Sequence, residues 1–437
     1  MGIRSIIEFK KMCRRGIIYL MLANLIAACS STPTPVNPTP LAPTPPPSPS
    51  ASVLASPTPA DTSVSALRVW LPPQFAPDEI TPGGQVLAEQ LAQFEQAHPG
   101  LTVEVRLKSL AGPGSLLASL STAYNVAPAV LPDVIALNRD DLNAAASAGL
   151  VVPLDNFIAP GSLADYYPFA QTLSQSQGQL VGLPFAADAR VLVYKTDTYP
   201  APPQMWTAIT TGTLVIPGGE PSGLTLVSEY LARGGPLADP SGKTILDTEL
   251  LTEALTDFQN AQKSSVLPLS TLAYSDTAAT WQVFRERRAT LAVTSAQNFL
   301  AESNRAVSSA AAALVPTNSG VPFALADGWS WALVNTVTPH HTLSMELIQW
   351  LSAPAQLSAW TLAAHLLPAR STALDGWGNH PLAPFASDVL SHAQLPPPAD
   401  VLALIGPPLQ RALDEVLTGR ATPFTAANSA AQAVGNP

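Results

Sequence analysis

Cysteine is nearly absent from this chain. Only Cys13 and Cys29 occur among its 437 residues, and both lie close to the N-terminus. Disulfides, thiolate nucleophiles and cysteine-ligated metals are therefore excluded from everything that follows position 29.

Charge is also scarce, since Asp, Glu, Lys and Arg together make up 12% of the residues. Acidic residues outnumber basic ones by 31 to 21, and five of the basic residues lie within the first 15 positions. A mainly acidic surface argues against nucleic acid as a partner and against a basic patch that holds anionic lipid. After residue 28 no apolar run approaches the ~20 residues of a membrane-spanning helix, so we expect a soluble body.

Sequence motifs of common enzyme classes are missing as well. The chain has no G-x-S-x-G, H-E-x-x-H or S-x-x-K sequence. The neighbouring His340 and His341 lack the i, i+4 spacing of zinc ligands, and the carboxylates of Asp140 and Asp141 point apart at a helix start. We therefore expect neither an enzyme nor a bound metal or other cofactor.

A basic segment followed by a short apolar one opens the chain. Basic residues between positions 4 and 15 precede an apolar-leaning stretch over 16–28, which is too short to cross a bilayer as a helix. Small residues then lead to Cys29 in the sequence Ile-Ala-Ala-Cys. This layout is typical of a secretory signal and resembles a bacterial lipobox, which implies a signal peptide over 1–28 and lipidation of Cys29. An ordinary signal peptide with an incidental cysteine is the alternative.

Proline dominates the next segment. Between Pro33 and Pro59 there are 11 prolines, mixed mainly with Thr, Ser and Ala. Such a composition cannot bury enough apolar surface to fold and favours an extended polyproline II chain. At roughly 3.1 Å per residue this segment would reach up to ~80 Å. We therefore predict a disordered linker over 29–65 that tethers the body to a lipid anchor.

The body alternates strand-like and helix-like segments. Strand patterns cover 67–71, 101–105 and 132–137, and helical spacing of apolar residues covers 84–97, 114–124 and 140–148. This order predicts a parallel sheet with helices on both faces. Ligands bind at the carboxyl ends of such strands, so the loops after Leu71, Leu107 and Leu137 are candidate site loops.

Eight short motifs follow one another through the body. They are F-E-Q-A-H-P-G-L-T-V at 94–103, P-D-V-I at 132–135, A-G-L-V-V-P-L at 148–154, G-L-P-F at 182–185, P-Q-M-W at 203–206, D-G-W at 327–329, L-P-A-R at 367–370 and G-R-A-T-P at 419–423. In this order they resemble the motifs of bacterial extracellular solute-binding protein family 1, the maltose-binding-protein-like sugar receptors of ABC importers. The resemblance covers nearly the whole chain after Leu67.

The chain departs from the family pattern at several positions. Lys195 replaces the asparagine of the family's "Y-N", and Arg287 stands where a glycine usually turns the chain. No glycine precedes L-P-A-R near His365, and the segment 208–234 is short and rich in Gly and Pro. These departures bear on the identity of the ligand more than on the fold.

The resemblance implies an α/β, periplasmic-binding-protein-like fold with two lobes. Each lobe would be a mainly parallel sheet flanked by helices, and the ligand cleft would lie between the lobes. Lobe 1 would comprise 66–185 and 325–366, and lobe 2 would comprise 186–324 and 367–437. The chain would cross between the lobes at hinges formed by Pro184, Phe185, Phe323, Ala324, Leu366 and Leu367.

The resemblance also implies which polar residues bind the ligand. Asp188 aligns with an acidic position that contacts sugar in the family, and its alternative is a loop aspartate paired with Arg190. Asn138, Arg139 and Asp140 follow the buried strand that ends at Leu137, where the family places polar groups. Asp140 is alternatively the N-cap of its helix.

Aromatic rings suit the apolar C–H face of a sugar, and Phe185, Trp329 and Trp331 lie near the crossings. Strand alternation puts both tryptophans on one face, so one of them can belong to the core. We expect Trp206 to be structural packing and Arg370 to make a lobe–lobe or backbone contact.

These features predict an extracytoplasmic receptor, anchored to the bacterial cell membrane through Cys29 and monomeric. It would bind a small solute, in the first place a sugar or oligosaccharide, by hinge closure and deliver it to the transmembrane subunits of an ABC permease. The alternatives are a ligand sensor or adhesion module on the same scaffold, and a receptor for a solute other than sugar.

Overall fold

The computed structural model describes residues 65–159, 161–302, 309–336 and 340–435. The predicted signal peptide, Cys29 and the linker up to residue 64 lie outside the described residues. The described residues form one compact unit. None of the described helices is long and apolar enough to cross a membrane.

The described chain contains twelve strands and fourteen α-helices. The strands are β1 (Ala66–Leu71), β2 (Thr102–Leu107), β3 (Val134–Asn138), β4 (Gln175–Ser176), β5 (Gln179–Leu180), β6 (Leu183–Lys195), β7 (Leu214–Val215), β8 (Leu291–Ser295), β9 (Ala310–Ala313), β10 (Ala324–Leu333), β11 (Leu367–Pro368) and β12 (Ala393–Gln394). The helices are α1 (Pro82–Ala97), α2 (Leu116–Val126), α3 (Arg139–Ser147), α4 (Pro168–Leu173), α5 (Leu224–Ala232), α6 (Thr248–Lys263), α7 (Thr277–Arg285), α8 (Ala296–Glu302), α9 (His341–Leu351), α10 (Pro354–Ala364), α11 (Ser371–Asp375), α12 (Ala383–Ser391), α13 (Ala399–Leu417) and α14 (Pro423–Gly435). The β-α-β-α-β-α order predicted for the first part of the body is confirmed.

The first three strands form the parallel sheet that this order predicts. β1 lies between β2 and β3, with Leu71 opposite Leu107 and Trp70 opposite Ile135. Successive side chains of a strand point to opposite faces. Leu71 therefore packs in the cluster that contains α1, and Trp70 packs in the cluster that contains α2 and α3. Helices cover both faces, as expected.

Capping residues mark where the helices of this sheet begin and end. The Thr81 hydroxyl accepts the Gly84 N–H at 3.0 Å at the start of α1. Asn138 Oδ1 accepts the Asp141 N–H at 2.9 Å at the start of α3, so Asn138 is the N-cap and the alternative of Asp140 as N-cap is wrong. Just beyond α3, Gly149 has a φ of 67°, the left-handed conformation that suits glycine after a helix.

Two long strands connect this sheet to a second one. The first part of β6 pairs antiparallel with β10 and β11, and its second part, from Arg190 onward, pairs with β8 and β9. β10 also pairs antiparallel with β3, which gives the strand order β2-β1-β3-β10-β6-β8-β7. We call β6 and β10 the crossing strands.

The six predicted hinge residues lie on or beside neighbouring strands. Pro184 and Phe185 belong to β6, Phe323 directly precedes β10, which begins at Ala324, and Leu366 directly precedes β11, which begins at Leu367. β11 pairs with β6, and the short strand β12 pairs with the start of β10. The sequence motifs did not indicate β12.

A third hydrophobic cluster lies beyond the crossing strands. It is built on the second part of β6 with β7 and β8 and is covered by α5, α6, α13 and α14. Leu192, Leu226 and Leu255 are fully buried in it. Burial of apolar surface on both sides of the crossing strands is the physical basis of two lobes.

Candidate ligand-binding site

The carboxyl ends of the parallel strands share one edge of the first sheet. β1, β2 and β3 end there at Leu71, Leu107 and Asn138, and Asn138 pairs with Trp329 of β10. β6 continues past this edge into the second sheet, where it pairs with β8 and β9. Ligands of α/β proteins bind outside such an edge, so the side chains gathered here form the candidate site.

Two of the three predicted residues at the end of β3 form hydrogen bonds within the protein. Asn138 caps α3, and its Nδ2 donates to the Asp141 carboxylate at 3.2 Å. Arg139 is 7% exposed, and its Nη1 donates to the carbonyl of Pro396 at 2.5 Å. The Asp140 side chain keeps 52% of its surface, so it is the residue of this trio that a solute can reach.

Asp188 lies on β6, and its carboxylate joins the crossing strand to α8. It accepts the N–H groups of Ala189 at 2.8 Å and of Gln297, in the first turn of α8, at 2.9 Å. Burial raises the pKa of Asp188, and these N–H donors partly offset the shift. The alternative of an Asp188–Arg190 pair is wrong, because Arg190 bonds Glu220 instead.

Asp327 is a candidate that the sequence analysis did not single out. It pairs in register with Asp188 across the two crossing strands, so both side chains leave the sheet on the same face. Asp327 retains exposed surface, yet burial of its carboxyl group raises its pKa, which the nearby Arg139 guanidinium lowers and Asp140 raises. Its signal in the sequence is the D-G-W motif, in which Asp327 replaces a glycine of the family's "G-G-W".

The aromatic candidates separate into core and surface. Phe185 and Trp331 stack at 4.3 Å and are 1% and 4% exposed, so the described conformation offers neither ring to a solute. Trp329 meets the buried Phe75 edge-on at 5.1 Å and remains partly exposed. Trp329 is therefore the ring of this group that can pack against a ligand.

A buried ion pair lies next to Asp188 on β6. Arg190 leaves the same face of the strand as Asp188, and its Nη2 bonds Glu220 at 2.5 Å. The two side chains are 12% and 14% exposed. Glu220 comes from the loop before α5, in the segment that the sequence analysis described only as short and rich in Gly and Pro. A contact between residues 30 positions apart has no local signal that could have revealed it.

Residues 89–389 match the family model described as bacterial extracellular solute-binding protein. The chain belongs to this family. A solute-binding protein of this family is a receptor rather than an enzyme, and it works outside the cytoplasm.

Solved structures of other solute-binding proteins share its fold. The sugar-binding protein MalE from the phytopathogen Xanthomonas citri has a TM-score of 0.70 at 20% identity and covers 85% of this chain and 96% of its own. Maltose-bound MalE3 of T. maritima has a TM-score of 0.65 at 19% identity, with 84% and 98% covered. The maltodextrin-binding domain MalE from Bdellovibrio bacteriovorus, bound to maltotriose, has a TM-score of 0.61 at 18% identity, with 84% and 98% covered. These likenesses show the two-lobed α/β fold that the sequence motifs implied.

The L-P-A-R motif of this solute-binding protein contacts the segments before α4 and after α9. Arg370 of L-P-A-R donates from Nε to the Asp165 carboxylate at 2.7 Å and from Nη1 to the Ser352 carbonyl at 2.9 Å, which is the expected backbone contact. Its guanidinium lies over the ring of Tyr166 at 4.9 Å. Burial raises the pKa of Tyr166 to about 12, so this phenol stays protonated at neutral pH. Within the described ranges, no group of three or more His, Cys, Asp or Glu could hold a metal ion.

Proposed function

We propose that this solute-binding protein is the receptor of an ABC importer and binds a sugar or oligosaccharide between two lobes. The lobes would be 66–185 with 325–366, and 186–324 with 367–437. A lipid on Cys29 and the proline-rich linker would hold the receptor at the outer face of the cell membrane, within reach of its permease.

The sugar assignment rests on the partly exposed ring of Trp329, together with two carboxylates at the same edge of the sheet. Asp140 follows the strand that pairs with Trp329, and Asp327 lies two residues before Trp329 on β10. A sugar offers an apolar C–H face to a ring and hydroxyl donors to carboxylate acceptors. Both requirements are met at one edge of the sheet.

The crossing strands connect the two proposed lobes, so they would couple ligand binding to lobe closure. A ligand that contacts both lobes favours the closed state only by its higher affinity for that state. Nη1 of Arg190 and Oε2 of Glu220 are buried and have no hydrogen-bond partner in the described part of the chain. With these two atoms, the second lobe would form hydrogen bonds to a ligand or to bridging water.

A thermal unfolding screen against sugars, polyols, phosphosugars, polyamines and peptides tests the proposal. A ligand at 100 times its Kd stabilises the folded state by about 2.7 kcal/mol, which is readily seen as a rise in Tm. We expect a rise with at least one neutral oligosaccharide. A clear rise with another class and none with any carbohydrate would contradict the sugar assignment.

Uptake of the radiolabelled ligand by cells separates transport from the sensor and adhesion alternatives. Deletion of the gene should abolish high-affinity uptake if the protein serves an importer. Unchanged uptake, together with intact binding by the purified protein, would contradict the transport role.

A further inference from the structure

An uncharged apolar surface lies at the edge of the first sheet opposite to the candidate site. β3 begins at this edge at Val134 and ends at the candidate site at Asn138. The 24 residues 109–132, which precede β3, include no Asp, Glu, Lys or Arg. Within them, residues 124–130 form the end of α2 and a short 3-10 helix, Pro128–Val130. We call residues 124–130 the apolar turn.

The apolar side chains of this turn are open to solvent. Val126 is 78% exposed, Val130 is 43% exposed and Tyr124 is 37% exposed. Pro128 and Ala129 between them are exposed as well. Single exposed apolar residues are normal on a protein surface, whereas a contiguous group of them marks a surface that contacts another apolar one.

Backbone hydrogen bonds within the turn hold this surface together. The Ala127 N–H donates to the Ala123 carbonyl at 2.9 Å, the Val130 N–H to the Ala127 carbonyl at 3.0 Å and the Leu131 N–H to the Pro128 carbonyl at 3.2 Å. An apolar environment would therefore not deprive these N–H groups of their partners, which is the main cost of moving irregular backbone out of water.

The charged residues next to the turn bind within the protein. Nη1 of Arg68 donates to the Ala129 carbonyl at 2.5 Å, and its Nε lies 3.7 Å from the Glu104 carboxylate. The positive charge of Arg68 is thus balanced by a carboxylate. The apolar turn offers a partner hydrophobic contact rather than an attractive charge.

The chain enters the described body at this same edge. Ser65 directly precedes β1, its carbonyl accepts the Thr102 N–H at 3.0 Å, and Arg68, which bonds the apolar turn, is three residues further on. In the proposed function, Cys29 carries a lipid, so the tether to the membrane joins the body beside the apolar turn. A tether raises the effective concentration of the membrane surface, so a weak contact is sufficient.

We propose that the apolar turn rests on the lipid bilayer that anchors the protein. Tyr124 lies at the level of the headgroups, where amphipathic rings are favoured, and Val126 and Val130 contact the boundary with the acyl chains. The candidate site, at the other end of the sheet, then faces the medium from which solute arrives. This inference rests on the lipid anchor of the proposed function.

Fluorescence of the full-length, lipidated protein in phosphatidylcholine vesicles tests this proposal. Cys13 leaves with the signal peptide and Cys29 is acylated, so Val126→Cys provides the free thiol for an NBD label. We expect NBD emission at this position to shift to shorter wavelength on reconstitution and to be quenched by spin-labelled lipid. Phe424→Cys, at a position that is 64% exposed in the second lobe, should show neither effect.

Two further measurements identify the nature of the contact. Val130→Asp should lower the quenching at Val126→Cys about twofold or more, because a charge is costly at the boundary with the acyl chains. Val321→Asp, at a position that is 60% exposed, is the matched control and should leave the quenching unchanged. Raising the NaCl concentration should also leave it unchanged, since salt screens charges and not apolar contact.

Three results would overturn the proposal. These are an equal response at Val126→Cys and Phe424→Cys, loss of the shift at high salt, and a shift that depends on protein concentration without vesicles. The last result would assign the surface to a second copy of this chain. A failure of the lipid anchor is distinguishable, because the protein would then not sediment with the vesicles, and the proposal would fall together with the anchor.

Discussion

At the scale of single residues, one strand gives its two tryptophans different environments. The pairing of β10 with β6 shifts register between Trp329 and Ser330, but the extra residue is Phe185 of β6, and the pairing of β10 with β3 is regular through both tryptophans. Both rings therefore lie on one face of β10, as alternation predicts. Trp331 stacks on Phe185 in the core, whereas Trp329 lies opposite Asn138, at the edge of the sheet, and keeps part of its ring exposed.

Alanine substitution should lower ligand affinity at Trp329 and folding stability at Trp331. We expect Trp329→Ala to weaken sugar binding about tenfold, which corresponds to ~1.4 kcal/mol, with little change in stability. Trp331→Ala should cost about 3–5 kcal/mol of unfolding free energy through the cavity it leaves. Calorimetry and urea unfolding measure the two effects. Unchanged affinity in Trp329→Ala would remove this ring from the site.

A buried carboxyl group in the second lobe makes stability depend on pH. Glu229 is 3% exposed, accepts the Trp206 indole N–H at 2.8 Å and contacts Arg233, which also pairs with Asp257. Burial raises the pKa of Glu229 to about 7, above its ordinary value of 4.5, against the opposing effect of Arg233. Trp206 thus has the structural role expected for it.

The sign of the pH effect follows from this shift. Between pH 4.5 and 7 the folded state holds a proton that the unfolded state releases, so stability falls as pH rises through this window. Glu229→Gln cannot ionise, and we expect it to gain on the order of 3 kcal/mol relative to the native protein between pH 4 and pH 8. Urea unfolding at both pH values measures this difference. The exposed control Glu89→Gln should show none, and parallel pH profiles for Glu229→Gln and the native chain would refute the assignment.

At the scale of elements, the crossing strands lie too close together at Gly328 for any side chain to fit. A Cβ atom at this position would lie 2.4 Å from the Ala186 carbonyl oxygen, a distance that real side chains do not adopt. The neighbours of Gly328 on β10 are the candidate residues Asp327 and Trp329. Close strand packing and the geometry of the site therefore depend on the same glycine.

Gly328→Ala should force β10 and β6 apart. We expect a loss of about 1–3 kcal/mol in unfolding free energy, together with weaker ligand binding. Urea unfolding and calorimetry measure both effects. The matched control is Gly114→Ala, where a Cβ would make an ordinary contact of 3.5 Å with the Ser109 hydroxyl oxygen. If Gly328→Ala behaves like this control, the close approach is not a constraint.

The turn after α7 retains the conformation of the glycine that the family usually has there. Arg287 adopts a φ of 58°, in the left-handed region that disfavours residues with a Cβ. We expect Arg287→Gly to raise the unfolding free energy by about 1 kcal/mol, because it removes this strain. Arg288→Gly, at the next position, should not stabilise the protein. A destabilising Arg287→Gly would show that the arginine side chain contributes more than its backbone costs.

Elements with strong periodicity were predictable from the sequence, and short or long-range features were not. The strands and helices between residues 66 and 147 follow their apolar spacing, with boundaries shifted by at most two residues. β11 and β12 contain two residues each, too few to show a period. The motif at 182–185 and the departure at Lys195 were separate features of the sequence, whereas in the structure Leu183 and Lys195 are the two ends of the 13-residue strand β6.

The candidate site was predictable only in part for the same reason. The edge after β3 followed from the general rule for parallel sheets. The helix cap at Asn138, the bond from Arg139 to Pro396 and the pair of Arg190 with Glu220 all depend on the final backbone positions. Asp327 was visible as a departure from the family motif, but its partner Asp188 became clear only from strand register.

At the scale of the whole molecule, the account requires two packed cores that move about the crossing strands. The cluster built on β7 and β8 lies wholly within the second proposed lobe, whereas the cluster that contains α1 also includes residues of 281–300 and 367–390. Closure would therefore leave the former intact and repack part of the latter beside the crossing strands. To shift such an equilibrium from 1:99 to 99:1, a ligand must favour the closed state by about 5.5 kcal/mol. The contacts that provide this energy must come from both sides of the crossing strands.

A distance measurement between the lobes tests this central claim most directly. The chain has no cysteine after Cys29, so spin labels can be placed on Ala111→Cys, in the loop after β2, and on Ser270→Cys, beyond the crossing strands, with Cys13 and Cys29 replaced by serine. Both positions are exposed. Double electron–electron resonance should show a shorter distance when the saccharide found by thermal screening saturates the protein, and no change for labels on Ala92→Cys and Ala111→Cys within the first lobe. An unchanged distance between the lobes at saturation would contradict the account.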